Sequence, residues 1–264
     1  MHILLIQTIH ASIFRTLLDA LKEIVTETNI SFDKDGLKIK TMDTSHTVLV
    51  HLKLDASKFE KYECKRPITI GVNMIHFFKL TRSITTTDLL TLYVDEENMN
   101  ILGIQIENSV KKSVKNIRLH LLSLNNKNFS VPPKEFDFVV NMPSSVFQKI
   151  CRDMNTITEV IDIKATDKCV YFRGKGDFAD QEFTIAETKD GLHFIKGGRS
   201  HGIVQGVFLL KHLLTFTRCT NLSESIDIYL ANDYPIIICY KVGILGEVRL
   251  CLSPKLMNPK VQNR

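Results

Sequence analysis

Ser12-Ile13-Phe14-Arg15-Thr16-Leu17 returns as Ser145-Val146-Phe147-Gln148-Lys149-Ile150, 133 positions later. The echo continues outward from this stretch. Thr26-Glu27 recurs at Thr158-Glu159, and Leu37-Lys38-Ile39 recurs as Val170-Tyr171-Phe172. Leu80-Thr81-Arg82 then matches Phe216-Thr217-Arg218, and Leu92-Tyr93-Val94 matches Ile228-Tyr229-Leu230, now 136 apart. Matches kept in order, with an offset that drifts by about three residues, mark a duplicated domain with a period far too long for a solenoid. Two similar halves in one chain predict a pseudo-symmetric object whose symmetry can continue by oligomerisation.

Composition agrees. A chain of 264 residues divides into two domains of about 130 residues each. Apolar residues at 44% and charged residues at 24% supply one core per half. Six cysteines (Cys64, Cys151, Cys169, Cys219, Cys239 and Cys251) show neither a C-x-x-C pair nor zinc spacing with histidine. Reduced thiols in a cytosolic or nuclear compartment are expected. The apolar patch at residues 3–6 lacks the basic flank and cleavage pattern of a leader. No apolar stretch approaches the roughly 18 residues that a membrane span needs. The sequons at Asn29, Asn128 and Asn221 are therefore read as fortuitous.

Each half reads as strand, helix, strands, helix, strands. In the first, residues 3–8 are predicted as a strand and 12–24 as a helix capped by Ser12. Strands follow at 30–32, 37–41 and 47–54, with Lys34-Asp35-Gly36 as a tight turn. A second helix over 73–82 takes Asn73 as its cap. Strands at 89–94 and 101–107 pair across a turn at 96–100, and 116–122 forms a further strand. In the second half, 136–141 is a strand and 144–155 a helix entered after Pro143. More strands run from 160 to 186, a helix covers 207–219, and strands at 226–230, 236–242 and 247–252 complete the set. Asn125-Asn126-Lys127-Asn128 and Pro132-Pro133 mark a linker between the halves.

Each helix sets an apolar stripe against a pair of cations at helical spacing. Arg15 and Lys22 are seven apart, Lys79 and Arg82 three, Lys149 and Arg152 three, and Lys211 and Arg218 seven, with His212 nearby. Both spacings keep a pair on one face. Acids on these faces are few: Asp19, Glu23 and Asp153. Such faces attract a polyanion by counterion release without reading its sequence. The net charge of +5 adds little by itself. Four helices about 10 Å apart span an arc of roughly 40 Å, whereas surrounding a duplex needs an inner circumference on the order of 100 Å. Two or three copies joined head to tail would close it. Strand edges at 116–122 and 182–186 are the expected joints, because an open edge must be paired or covered.

The chain also carries specific motifs. Met42-Asp43-Thr44-Ser45-His46 precedes Val48-Leu49-Val50. Gly71-Val72-Asn73, Met142-Pro143-Ser144, Ile150-Cys151-Arg152-Asp153 and Leu252-Ser253-Pro254-Lys255-Leu256 follow in order. Together they resemble the eukaryotic-type DNA sliding clamps of the proliferating cell nuclear antigen (PCNA) family, over about residues 12–256. The resemblance implies an α+β DNA-clamp fold: two tandem similar domains, each with two helices on one face of antiparallel sheets, assembling as a ring. The divisions are an N-terminal clamp domain at 1–123, an interdomain connector at 124–135, a C-terminal clamp domain at 136–256 and a tail at 257–264. It further implies a homotrimer that encircles double-stranded DNA without sequence preference. Such a ring tethers DNA polymerase and other replication or repair proteins through short hydrophobic peptides, and a separate clamp loader opens it. No catalysis, cofactor, metal or membrane partner is implied. The location implied is nuclear, or a cytoplasmic replication site for a viral member, and not secreted.

Carried over by position, the hole-lining cations fall on Arg15, Lys22, Lys79, Arg82, Lys149, Arg152, Lys211 and Arg218. The partner-peptide pocket falls on Met42, His46, Thr47, Leu49, Phe129, Val131, Pro132, Phe136, Tyr234, Pro235, Ser253, Pro254, Lys255 and Leu256. An apolar groove there would receive aromatic anchors, while exposed backbone near the tail offers strand-type pairing. Two non-catalytic alternatives stay open: a monomeric or dimeric processivity factor held to DNA by charge, and a subunit of a heterotrimeric checkpoint-type clamp. An enzyme is disfavoured by the lack of phosphate-loop, dinucleotide, zinc-helix and nucleophile-elbow motifs. The acidic run Asp95-Glu96-Glu97 reads as a solvated turn.

The chain departs from its family in charge. Familiar members are acidic, with an acidic connector and tail. Here the net charge is +5, the connector contains Asn125-Asn126-Lys127-Asn128, and the tail contains Lys260 and Arg264. Cys251 stands where the family has an aromatic, and Asp167 beside Lys168 where many members carry a modified lysine. These differences point to a divergent lineage, that of a large DNA virus or of a second copy in its genome. The basic outer charge should weaken docking of peptides with basic flanks. Adding lysines to the flanks of a docking peptide should lower its affinity at low salt, with the penalty shrinking as salt rises. Fluorescence anisotropy measures this, and equal binding of neutral and basic flanks contradicts it.

Overall fold

A computed structural model describes residues 1–43, 45–125, 135–197 and 203–255. It divides into two compact units. Unit 1 comprises Met1–Asp43, Val50–Ser130 and Lys241–Val248, and unit 2 comprises Thr44–Leu49, Val131–Tyr240 and Arg249–Arg264. Each unit is therefore mostly one half of the sequence, with a short segment contributed by the other half.

Strands β1 (His2–Thr8) to β9 (Ser113–His120) and strands β10 (Phe138–Pro143) to β18 (Gly246–Leu252) repeat one plan. In the first half β2 is Glu27–Asp33, β3 Gly36–Met42, β4 Val48–Asp55, β5 Lys61–Cys64, β6 Ile68–Asn73, β7 Asp88–Asp95 and β8 Asn98–Asn108. In the second, β11 is Val160–Ala165, β12 Cys169–Lys175, β13 Asp180–Ala186, β14 His193–Lys196, β15 Val204–Leu209, β16 Ser225–Leu230 and β17 Ile236–Val242. Helices α1 (Ala11–Leu21) and α3 (Ser144–Asn155) follow the first strand of each half, and α2 (Met74–Thr81) and α4 (Leu210–Phe216) follow the sixth.

Strand pairing repeats with the elements. In unit 1 the orders are β5-β1-β7-β8-β9 and β4-β3-β2-β6; in unit 2 they are β14-β10-β16-β17-β18 and β13-β12-β11-β15. β1 runs antiparallel to β5 and β7, β8 to β7 and β9, β2 to β3 and β6, β10 to β14 and β16, β16 to β17, β11 to β12 and β15, and β12 to β13. This is the α+β clamp architecture that the repeat and the family resemblance predict, with both edge strands expected as joints at a sheet end. Alternation sets the faces: Ile161, Ile163 and Ala165 of β11 are buried, while Val160, Asp162 and Lys164 between them are half-buried.

The helices bury their apolar faces on these sheets. In unit 1, Phe14, Leu17, Leu18 and Leu21 of α1 are buried with Met74 and Phe77 of α2. The Phe14 and Phe77 rings meet edge-on at 6.0 Å, a favourable aromatic arrangement. In unit 2, Phe147, Ile150 and Met154 of α3 join Leu213 and Phe216 of α4. The Phe147 ring meets Phe172 of β12 at 6.3 Å. The Gln148 side-chain amide donates to the Thr217 carbonyl at 3.0 Å, tying α3 to the turn after α4.

Several local expectations are corrected. Ser12 is not the cap of α1: the helix starts at Ala11 with His10 in the capping position and no side-chain cap. Thr8 Oγ1 instead accepts from the His10 amide at 3.0 Å, setting the turn one residue earlier. The helix expected over 207–219 is shorter. Val207–Leu209 belong to β15, paired with β11 in the register Val160↔Leu209 to Ala165↔Val204. Val207-Phe208-Leu209 is apolar in either reading, and ladder hydrogen bonds to β11 decide for strand. The chain after Phe216 continues as a 3-10 turn, Thr217–Leu222. Short strands β5, β6, β14 and β15 were not anticipated. Of the linker, residues 126–134 lie outside the described residues, as does the tail beyond 255.

Two expectations were met in detail. The Lys34-Asp35-Gly36 turn holds Gly36 at φ 140°, and a Cβ there would lie 1.9 Å from the Leu54 carbonyl oxygen. Asn73 caps α2, its side-chain oxygen accepting from the His76 amide at 3.0 Å. Asn73→Ala should cost about 1 kcal/mol of stability, read as a lower urea midpoint with unchanged slope.

Candidate functional site

The eight cations expected to line a DNA channel fall into two groups, one per unit. Arg15 and Lys22 lie on or just after α1, and Lys79 and Arg82 on or just after α2, all in unit 1. Lys149 and Arg152 lie on α3, Lys211 on α4 and Arg218 in the 3-10 turn after it, all in unit 2. Six are exposed, and Arg15 and Lys22 are half-buried. Lys211 and Arg218 do not share one continuous α-helix as expected: α4 ends between them, and the 3-10 turn that follows advances faster per residue. Both nonetheless remain on the surface.

Lys22 differs from the rest. Its Nζ lies 2.9 Å from Asp19 Oδ1 and 2.9 Å from Glu23 Oε1. It also sits 4.5 Å from the Phe78 ring centroid, a cation–π contact with the helix beside it. Hydrogen bonds to Asp19 and then Glu23 push the Lys22 pKa up. Its charge is thus held and largely balanced. Among the described residues, none of the other seven cations forms an ion pair. Lys79 and Arg152 also stand in the last turns of their helices, where the macrodipole favours positive charge.

Most of the described members of the expected peptide pocket belong to unit 2. Phe136 meets Tyr234 edge-on at 5.6 Å and Tyr229 at 5.4 Å, and Arg249 stacks over Tyr229 at 5.7 Å. Pro235 and Pro254 are half-buried, Leu49 is buried, and His46, Ser253 and Lys255 are exposed. His46 takes a positive φ of 54°, a conformation for which histidine is among the more tolerant side chains. The amide of Ser253 donates to the Thr47 carbonyl at 3.1 Å, and that of Lys255 to the Val207 carbonyl at 2.7 Å. Met42 ends β3 in unit 1 and is half-buried. Phe129, Val131, Pro132 and Leu256 lie outside the described residues.

Residues 3–129 match the family model for the N-terminal domain of proliferating cell nuclear antigen, and residues 130–255 match that for its C-terminal domain. A protein of Paramecium bursaria Chlorella virus 1, described as "Probable DNA polymerase sliding clamp 1", is 31% identical over 255 residues. The match covers 95% of this chain and 96% of the viral protein. The chain belongs to the PCNA family of sliding clamps.

Within that family the structure adds what the sequence did not supply. Tyr229 joins the Phe136–Tyr234 aromatic group, and only its period-two place in β16 hinted at exposure on that face. Cys251, at a position where other PCNA chains carry an aromatic, is buried, and burial pushes its thiol pKa up to about 11. It is therefore a neutral packing group at physiological pH. Burial likewise pushes Cys151 and Cys219 up to about 12. Lys168 is exposed between β11 and β12.

Balance at Lys22 has a measurable consequence. Arg82→Ala should flatten the slope of log affinity against log salt for duplex DNA by about 0.9, the value for one lost phosphate contact. Lys22→Ala should change it by much less. Equal effects would show that Asp19 and Glu23 release Lys22 to the DNA.

Proposed function

We propose that the chain is a DNA polymerase processivity factor that acts as a homotrimeric sliding clamp. Three copies close head to tail, with duplex DNA passing through the hole. Arg15, Lys79, Arg82, Lys149, Arg152, Lys211 and Arg218 face the phosphates, and Lys22 contributes less. The observation that carries this reading is the set of unpaired helical cations, present in both repeats and backed in each by an apolar helix face. Nothing in such a surface selects a base edge, so contact is made with phosphate and is indifferent to sequence. The contacts are weak and exchangeable enough to permit sliding, while ring closure prevents escape.

Partners dock through short hydrophobic peptides on unit 2, at the group around Phe136, Tyr234 and Pro235 together with His46, Thr47, Leu49, Ser253, Pro254 and Lys255. A clamp loader opens the ring, and the clamp itself works as a scaffold without catalysis.

Retention on DNA tests the ring directly. After loading, protein on closed circular DNA should survive a wash at high salt, and linearising the circle should release it. Affinity held by charge alone would fall steeply with salt on both substrates. Loss from the circle at high salt, or a monomeric mass by light scattering at working concentration, contradicts the proposal.

A further inference from the structure

The chain leaves the last strand of each half in the same way. In unit 1 the Leu122 amide donates to the Gly71 carbonyl at 2.8 Å, forming an isolated bridge on β6. In unit 2 the Lys255 amide donates to the Val207 carbonyl of β15 at 2.7 Å. β6 and β15 are matching end strands of the repeated sheet, and Leu122 and Lys255 are separated by the same 133 positions at which the duplication begins. The repeat continues past this point: Leu124-Asn125-Asn126-Lys127 returns as Met257-Asn258-Pro259-Lys260. In sequence, residues 256–264 are therefore the second-half counterpart of the run into the connector.

In unit 1 that run lies on the sheet. Asn29 of β2 stands opposite Gly71, and its side-chain amide donates to the carbonyls of Leu124 at 3.5 Å and Asn125 at 3.4 Å. Gly71 permits the close approach, since a Cβ there would lie 2.3 Å from the Leu122 carbonyl oxygen and 3.1 Å from Leu124 Cγ. The position equivalent to Asn29 is Asp162 of β11, which stands opposite Val207. Here a cleft of about 500 Å3 opens, lined by Val160, Asp162, Arg173, Lys175, Glu182 and Val207 among others, a size that suits a bound ligand. Asp162 Oδ2 accepts from the Gln205 side-chain amide at 2.8 Å, but Oδ1 is buried with no hydrogen-bond partner among the described residues. Burial raises the Asp162 pKa, against the opposing pull of Gln205, Arg173 and Lys164. An acceptor placed so carries the cost of desolvation until a donor reaches it.

We propose that residues 256–264 dock in this cleft of unit 2, as the run into the connector docks on β2 and β6, with Asp162 accepting from the tail. The two anchors differ in chemistry. Asn29 donates to carbonyls, whereas a carboxylate only accepts, so Asp162 takes the donors that the tail brings in its backbone, Asn258 and Lys260. Charge agrees: residues 256–264 hold Lys260 and Arg264 and no acid. The cleft sets Asp162, Asp180 and Glu182 against Arg173 and Lys175, and Arg173 is already paired with Glu182. Met257 takes the place of Leu124 and supplies the apolar contact, against Val160 and Val207. The basic tail, unusual for the family, thereby has an acidic partner on its own unit.

Trypsin reads the docking in the intact chain, because cleavage after Lys255 and Lys260 releases tail fragments identified by mass. The wild type should release them at least about tenfold more slowly than the free peptide of residues 252–264, since cleavage tracks the open population. Asp162→Lys and, separately, Met257→Asp should each remove most of that protection with an unchanged circular dichroism spectrum. A labelled peptide of residues 256–264 should bind the Met257→Asp chain at least about tenfold more tightly than the wild type, whose tethered tail competes at an effective concentration in the millimolar range. Adding Asp162→Lys to Met257→Asp should abolish that binding. A wild-type tail cut as fast as the free peptide overturns the proposal. Protection that survives both substitutions places the tail elsewhere and overturns it too. Equal peptide binding by wild type and Met257→Asp assigns the cleft to a separate basic peptide and overturns docking of the chain's own tail. None of these outcomes bears on the ring.

Discussion

Burial of one face of each helix is the constraint on which the other features depend. Phe14 and Phe77 in unit 1, and Phe147 and Phe216 in unit 2, are each at most 3% exposed. A side chain of this size gains about 1.5–3 kcal/mol on leaving water, and removing it would cost about 3–5 kcal/mol. That anchoring fixes the rotation of the helix about its axis. With one face committed to the sheet, Lys79, Arg82, Lys149, Arg152 and Lys211 have only the solvent side to occupy. The cationic surface therefore follows from the core and needs no separate device to orient it.

Duplication then doubled the arrangement without copying its charges. Arg82 and Arg218 occupy equivalent positions in the repeat, but Arg15 corresponds to Gln148, Thr16 to Lys149 and Asp19 to Arg152. The apolar positions are kept far more closely, as Phe14 to Phe147 and Leu17 to Ile150 show. This difference has a physical cause. A close-packed interior detects a change of one methylene, whereas a duplex responds to the summed potential of a surface and tolerates a charge displaced by one turn. Lys22 illustrates the limit: present in sequence, it is compensated locally by Asp19 and Glu23.

How much could be read in advance follows from the same distinction. The repeat, α1 to α3, and the longer strands were legible because each buries a periodic apolar set. The end of α4 was not, because Val207-Phe208-Leu209 is apolar at every position and carries no period. Only pairing with β11, some forty-five residues earlier in the chain, settles it as strand. The cap of α1 was misplaced because Ser12 looks like a capping residue, yet Thr8 already supplies the turn. Short strands such as β5 and β14 had no signal of their own, since their existence depends on the neighbours β1 and β10. Of the candidate site, the cations were found from spacing, and the pocket residues came from the family resemblance alone. Tyr229 was missed, as its exposure depends on which face of β16 meets the core.

The positive net charge looks at first like a property of the cation-bearing helices, but much of it lies elsewhere. Lys111, Lys112, Lys115 and Arg118 equal half the number of helical cations, and they lie in β9 and the turn before it, a stretch without acids. In the proposed ring, a basic strand outside the hole and exposed to solvent would compete with the hole for DNA. The unusual charge balance of the chain is thus divided between the helices and the stretch that leads into and forms β9.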